Sequence, residues 1–321
     1  MSLLSTPQWD QDRIQGLFLG HALGDAMGAP YEFVYNKKQE ITDLITLQQR
    51  HRSQWQGTRM SALGQVTDDT EMSLALYSCL LEHNRYNKNE VILSYLKWCN
   101  HSNTFLGKNT RALMKGVKTV RGYTSRFQKQ DLSNMESNGC LMRAAPLVLL
   151  SQQSSFQEDV YTDVNLTNPN ETCRECVWLY VQILRDLLND VDPILIFEKY
   201  QNQVQTESVQ IAFKDALEGN NRNLNGKDKG WVVHSFYCAL YVLVNLKGNT
   251  YHELMMELLS WSGDTDTNMA IAGAFVGAFY GLKRLKDHEI TGKNLEIILT
   301  CDPNNGAFPR NAVYHPQTYL Q

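Results

Sequence analysis

Glycine recurs at every fourth residue in two places, at Gly16, Gly20, Gly24 and Gly28 and again at Gly273, Gly277 and Gly281. Residues spaced i, i+4 lie along one face of an α-helix. A glycine inside a helix costs about 1 kcal/mol against alanine, so two such rows need a compensating gain. Close approach of helix backbones at the centre of a helical bundle is the simplest one. Gly24 and Gly28, which flank Asp25 and precede Pro30, are also placed to end the first helix and shape a loop.

The rest of the chain agrees with a helical bundle. Apolar residues recur with helical spacing from Ile14, from Met72 and over Val91–Trp98, and the same pattern predicts helices over 107–120, 140–151, 171–189, 206–217, 231–246, 250–260 and 267–285. Alternating β-branched runs are scarce; a short strand or hairpin between Ile41 and Val66 is the one weak exception. Polar stretches at 151–159, 165–171 and 219–230 punctuate the helices as loops, and none resembles an interdomain linker. The expectation is an all-α fold in a single domain spanning 1–321.

Charge narrows the function classes. Thirty Lys and Arg against 34 Asp and Glu give a net charge of −4, which argues against a general nucleic-acid binder. The amino end has no basic and apolar leader pattern, and the apolar run Met269–Leu282 is too short for a bilayer span. Seven irregularly spaced cysteines suit reduced thiols and a cytoplasmic location, with no membrane association.

Three acidic clusters sit at expected helix boundaries: GDAMGAPYEF at 24–33, VTDDTEM at 66–72 and SGDTDTNMA at 262–270. Each has a structural explanation. Asp68 with Glu71 fits a capping box, and Asp266 or Thr267 could cap the helix that follows. A cap needs one carboxylate, however, and two of the clusters carry two each. Thr67, Asp68, Asp69, Asp264, Asp266 and Thr267 together offer only oxygen, which suits a hard cation such as Mg²⁺ or Mn²⁺ rather than zinc. Two such clusters can hold a pair of ions that share a carboxylate.

In combination, GLFLGHALGDAMGAPYEF (16–33), TDDTEM (67–72), GKNTRAL (107–113), SNGCLMRAAPL (137–147), GWVVHSFYCALYVL (230–243) and SGDTDTNMAIAGAFVGAFYG (262–281) resemble the ADP-ribosylglycohydrolase family, in the family's order and over nearly the whole chain. The resemblance implies a compact multi-helix bundle with a central two-metal cleft and two divalent cations, Mg²⁺ or Mn²⁺. It implies that Thr67, Asp68 and Asp69 serve one side of the metal pair and Asp264, Asp266 and Thr267 the other, with Asp266 bridging. Glu32 matches an acidic position beside the scissile bond in some members, so Glu32, Asp69 and Asp266 become the candidate catalytic residues.

The resemblance also places ADP-ribose. Asn109, Ser137, Asn138, Gly139 and Met142 fall in matching loops, and Trp231 where relatives set an aromatic against the nucleoside, although a core tryptophan explains it equally well. Arg143 could meet a phosphate or hold a carboxylate within the core. One departure stands out: relatives often carry Thr-His where this chain has Thr167-Asn168, so a ring that stacks on or hydrogen-bonds the substrate is missing.

Other signals are weaker. Cys173-x-x-Cys176 is a lone pair, and His252-Glu253 lacks a second zinc-binding histidine because position 256 is Met. Asp68-Asp69 does not extend into the aspartate-rich pattern of isoprenoid synthases, since Met72 stands where the third carboxylate belongs, and no histidine precedes an aspartate as in the His-Asp phosphohydrolases.

The implied activity is metal-dependent hydrolysis of the C1″ bond between ADP-ribose and a protein or peptide side chain, arginine being favoured by the 24–33 and 137–146 stretches. The alternatives are a serine or other conjugate, a non-catalytic ADP-ribose-binding or structural relative, or a phosphohydrolase releasing AMP. A monomer is expected.

Overall fold

A computed structural model describes residues 9–32, 40–49, 62–101, 106–220, 222–302 and 311–321. Among them fourteen α-helices follow in order: α1 Gln11–Gly28, α2 Leu44–Gln49, α3 Asp68–His83, α4 Lys88–His101, α5 Lys108–Met114, α6 Val120–Phe127, α7 Phe156–Asn165, α8 Glu171–Leu188, α9 Pro193–Gln201, α10 Glu207–Glu218, α11 Val232–Asn245, α12 Tyr251–Ser260, α13 Thr265–Asp287 and α14 Glu289–Thr300. The described residues contain no strand beyond an isolated antiparallel bridge between Ser137 and Trp231. The fold is an all-α helical bundle.

The two glycine-bearing helices, α1 and α13, pack along their lengths at its centre. A Cβ on Gly16 would lie 2.5 Å from the Gly277 carbonyl oxygen. One on Gly20 would strike Gly273, one on Gly24 Met269, and one on Gly28 Thr265, backbone in every case. Gly24 is therefore an interior packing glycine and does not end the helix, which runs on to Gly28. α1 is buried on all sides from Gly16 onward, and Asp10 caps its start by accepting from Asp12 N–H.

Gly281 departs from the expected row. It breaks the helical geometry of α13 at φ 77° and ψ 162°, a region that glycine enters without a Cβ penalty. Asp12 fills the gap and accepts from Lys283 N–H at 2.7 Å.

Around this axis the buried apolar residues from Ile14 to Tyr319 form one contiguous cluster, with Phe18, Tyr77 and Tyr319 in mutual ring contact at 4.7–5.1 Å. Arg143 is fully buried. It donates to Asp163 Oδ2 at 3.0 Å, to the Gly139 carbonyl at 2.6 Å and to Thr167 Oγ1 at 2.9 Å, and Tyr95 O–H adds a bond to Asp163. The core-carboxylate reading of Arg143 therefore holds.

Four predicted elements differ, the first being the loop expected over 151–159, which ends at Ser155 where α7 begins. The helix expected over 107–120 stops at Met114, and Gly116, at φ 76°, starts a turn before α6. The segment expected as a helix over 140–151 is 3₁₀ at Asn138–Cys140 and Ala145–Leu150, because Pro146 lacks an N–H and Arg143 holds the Gly139 carbonyl. Of the stretch between Ile41 and Val66 read as a weak strand or hairpin, Leu44–Gln49 is α2 and 62–66 is turn and coil, while 50–61 lies outside the described residues.

All seven cysteines are free thiols, and six of them are buried, Cys173 and Cys176 included. His252-Glu253 has a plain structural role, since Glu253 completes a capping box with Thr250 at the start of α12. Among the described residues no helix is long and apolar enough to cross a membrane.

Candidate metal centre

The three acidic clusters converge where α1 ends and α3 and α13 begin. Asp25 points from the last turns of α1 and is fully buried. Its carboxylate accepts from four donors: Thr67 N–H at 3.0 Å, Thr67 O–H at 2.8 Å, Thr70 N–H at 3.1 Å and Thr70 O–H at 2.6 Å. These are groups at the start of α3, where backbone N–H donors have no partner within the helix. Asp25 thus pins the Thr67–Thr70 turn to α1.

The capping explanations largely fail. The N-cap of α3 is Thr67, whose Oγ1 accepts from Asp69 N–H, and Glu71 accepts from Trp98 Nε1 at 2.9 Å. The N-cap of α13 is Asp264, which makes no capping bond; Asp266 and Thr267 lie inside the first turn. Asp264 Oδ2 instead accepts from Asn138 Nδ2 at 2.8 Å. That amide also donates to Ser235, whose hydroxyl passes a bond to Asn268 on α13.

Two groups of oxygens result. One from each of Asp25, Asp69 and Asp266 lie within 4.8 Å of one another, as do one from each of Glu32, Asp264 and Asp266. Asp266 belongs to both. Asp69 Oδ1 is buried without a hydrogen-bond partner among the described residues. Burial, then the charges of Asp25, Asp68 and Asp264, push the Asp69 carboxyl well above the usual range, against a hydrogen bond from Thr267. Burial, then Glu32, Asp264, Asp69 and Asp25, do the same to Asp266. An orphaned carboxylate oxygen amid crowded like charges in an all-oxygen set fits a hard divalent cation.

The centre opens into a cavity of about 540 Å³, a size that suits a small-molecule ligand. Glu32, Asp68, Asp69, Asp264, Asp266 and Thr267 line one part of it. Asn109, with Lys108 and Arg111 of α5, lines another, and Ser137, Asn138, Gly139 and Met142 a third. Thr67 adjoins the centre through Asp25 and Asp69.

Trp231 is the predicted ligand contact that the structure does not bring to the cavity lining. Its indole N–H donates to Glu136 Oε2 at 2.7 Å and its ring packs edge-on against His234, so it braces the segment before Ser137.

Four contributors were not singled out from sequence. Asp25 carried a signal, a carboxylate inside an otherwise apolar glycine-row helix. Ser235 and Asn268 carried none. His21, one turn before Asp25, is held by the Met142 carbonyl at 2.7 Å from Nε2, and burial lowers its pKa against the pull of Asp25. Asn168, read from sequence as a loss, is buried at the cavity wall.

Comparison with known proteins agrees with this geometry. A family model described as ADP-ribosylglycohydrolase matches residues 6–293. The ADP-ribosylarginine hydrolase Tri1 of Pseudomonas putida (strain GB-1) is 23% identical over 288 residues, 86% of this chain and 73% of the relative. The ADP-ribosyl-[dinitrogen reductase] glycohydrolase of Rhodospirillum rubrum is 24% identical over 280 residues, 84% of this chain and 86% of the relative. A solved structure titled ADP-ribosylglycohydrolase-related protein complex superposes with a TM-score of 0.66 at 23% identity, covering 89% of this chain and 95% of the other.

Proposed function

Since the chain belongs to the ADP-ribosylglycohydrolase family and is a hydrolase of glycosidic bonds, we propose that it releases ADP-ribose from modified arginine side chains of proteins and that two divalent cations, Mg²⁺ or Mn²⁺, serve the reaction. The observation that carries this reading is the position of Asp266 in both oxygen groups. Thr67, Asp68, Asp69, Asp264, Asp266 and Thr267 would hold the ions, and Asp25 would keep Thr67 in place. When bound, such ions supply positive charge that orients ribose hydroxyls or the attacking water.

The residues account for the rest. Cleavage at C1″ builds positive charge on the ribose carbon, and the carboxylate wall of Glu32, Asp69 and Asp266 is suited to stabilise it. Glu32 is half-buried at the cavity, where a carboxylate can move a proton. Water gives its hydroxyl to C1″ and its proton to the guanidine nitrogen. The arginine acceptor is supported by the Pseudomonas putida relative, an ADP-ribosylarginine hydrolase 23% identical to this chain.

The test is release of free ADP-ribose from an arginine-modified protein, with a serine-modified peptide in parallel, under Mg²⁺, Mn²⁺ or EDTA. Release from the arginine substrate is expected, falling about a hundredfold or more with EDTA or with Asp266→Asn. Release from the serine peptide alone would overturn the acceptor, and release indifferent to EDTA would overturn the cation centre.

A further inference from the structure

Positions 91–130 hold eight Lys and Arg and no Asp or Glu, whereas the rest of the chain holds 22 Lys and Arg against 34 Asp and Glu. Soluble surfaces ordinarily intersperse the two signs, so this segment is set apart in a chain that is acidic elsewhere. Five of its cations, Lys108, Arg111, Lys118, Arg121 and Lys129, are exposed. Among the described residues none of the five is in an ion pair.

Two further basic residues brace the platform that carries them. Lys115 Nζ donates to the Cys99 carbonyl at 3.0 Å and ties the end of α5 to α4. Arg126 Nη1 donates to the Lys115 carbonyl at 2.6 Å and ties α6 to α5. Thr119 caps α6, and Tyr123 O–H reaches the Leu166 carbonyl at 2.5 Å. The segment also begins and ends at the candidate site. Lys108 and Arg111 line the same cavity as Glu32 and Asp69, and the chain returns to its wall at Met135 and Ser137.

The cavity thus has buried carboxylates on one side and exposed cations on another. A guanidinium-linked ADP-ribose suits the first, and the protein surface around that arginine meets the second. Like charges gathered at the edge of a cleft steer an opposite charge toward it and repel a like one. An acidic protein fits this edge better than a nucleic acid does. The two aromatic residues of 107–130, Tyr123 and Phe127, are buried and half-buried, so neither stands exposed to stack on a base. A long polyanion would also run off the basic segment onto a surface rich in carboxylates.

We propose that the α5–α6 face is the docking surface for the modified protein, and that it selects proteins whose ADP-ribosylated arginine is flanked by clustered carboxylates. This rests on the reading of the chain as an ADP-ribosylarginine hydrolase.

The test compares two arginine-ADP-ribosylated peptides of equal length, one with Glu and Asp on both sides of the modified residue and one with Gln and Asn. Free ADP-ribosylarginine is run beside them. All three carry the same ADP-ribose, so differences between the peptides report the flanks. With the full chain and Mg²⁺ or Mn²⁺ at about 50 mM salt, kcat/KM is expected to be about tenfold or more higher for the acidic peptide. The ratio is expected to fall toward one at about 500 mM salt. Lys118, Arg121 and Lys129 lie outside the cavity lining. Combining Lys118→Glu, Arg121→Glu and Lys129→Glu is expected to abolish the preference while free ADP-ribosylarginine stays within about twofold of wild type. Equal cleavage of the two peptides by the wild type at low salt, or a preference that survives the charge reversal, overturns the proposal. A labelled DNA or RNA strand bound more tightly than the acidic peptide, and released by the charge reversal, overturns it too and assigns the face to nucleic acid. Those results in a wild-type chain that cleaves free ADP-ribosylarginine sink this inference alone. A wild-type chain that cleaves no arginine conjugate sinks the parent reading with it.

Discussion

Asp25 and Asp266 are both buried aspartates in one cluster, and their surroundings differ in sign. Asp25 faces four hydroxyl and N–H donors, whereas Asp266 faces the charges of Glu32, Asp264, Asp69 and Asp25 and, among the described residues, accepts only from Thr267 N–H. A buried charge without a compensating partner destabilises a fold, and neutralising it relieves the strain. Asp266→Asn is therefore expected to raise the melting temperature of the EDTA-treated protein by a few degrees, equivalent to about 1–3 kcal/mol, and to remove stabilisation by Mg²⁺ or Mn²⁺. Asp25→Asn should do the opposite, costing about 1–3 kcal/mol, because its amide must set N–H groups against existing donors. Thermal melts of both variants with and without EDTA check the pair; a metal-free Asp266→Asn protein less stable than wild type would mean that this carboxylate is a structural anchor.

The helices that carry these residues owe their positions to the glycines. A Cβ on Gly277 would run into the Gly16 carbonyl group, and both are helix backbone with nowhere to move. Gly277→Ala gains about 1 kcal/mol of helix propensity. The clash is expected to outweigh this, for a net loss of about 2 kcal/mol or more in urea denaturation. Because Asp25 and Asp266 lie on the same two helices, apparent Mg²⁺ affinity should fall as well; a stable variant with unaltered metal binding would refute the close-approach account. This central pair was legible because its pattern is local and periodic, and so were the threonine–aspartate turns at 67–69 and 264–267. Other elements were not. In α9 the exposed Ile194 and Leu195 sit beside the buried Ile196 and Phe197, so the apolar run has no face. α14 hides its periodicity behind Gly292, which packs on the Lys286 carbonyl. At the site, Asp25 and the Asn138–Ser235–Asn268 chain depend on contacts 33–126 residues apart in sequence, which no local spacing records.

Across the whole molecule, the candidate ion ligands come from residues 67–69 and 264–267, with Asp25 and Glu32 of the α1 end completing the two oxygen groups, so bound cations would tie α3 and α13 together beside the central helix pair. That arrangement makes stability respond to metal and protons together. Asp69 and Asp266 have raised pKa values in the metal-free fold, while in the unfolded chain an aspartate sits near 3.9. Between those limits the fold binds more protons than the unfolded chain, so the two groups lower stability progressively as pH rises through the window. Histidine works in the other direction: burial lowers the pKa of His21, His252 and His315, and takes His234 to about 4, so these lose stability as pH falls below the unfolded histidine value. The melting temperature of the metal-free protein therefore mixes both signs, and the difference with and without Mg²⁺ or Mn²⁺ isolates the carboxylates. Cations need the deprotonated side chains, so each proton they displace strengthens metal stabilisation by about 1.4 kcal/mol per pH unit within the window. The metal-induced rise in melting temperature should thus be several degrees larger at pH 7.5 than at pH 5. A rise that is the same at both pH values would mean that the cations bind away from Asp69 and Asp266.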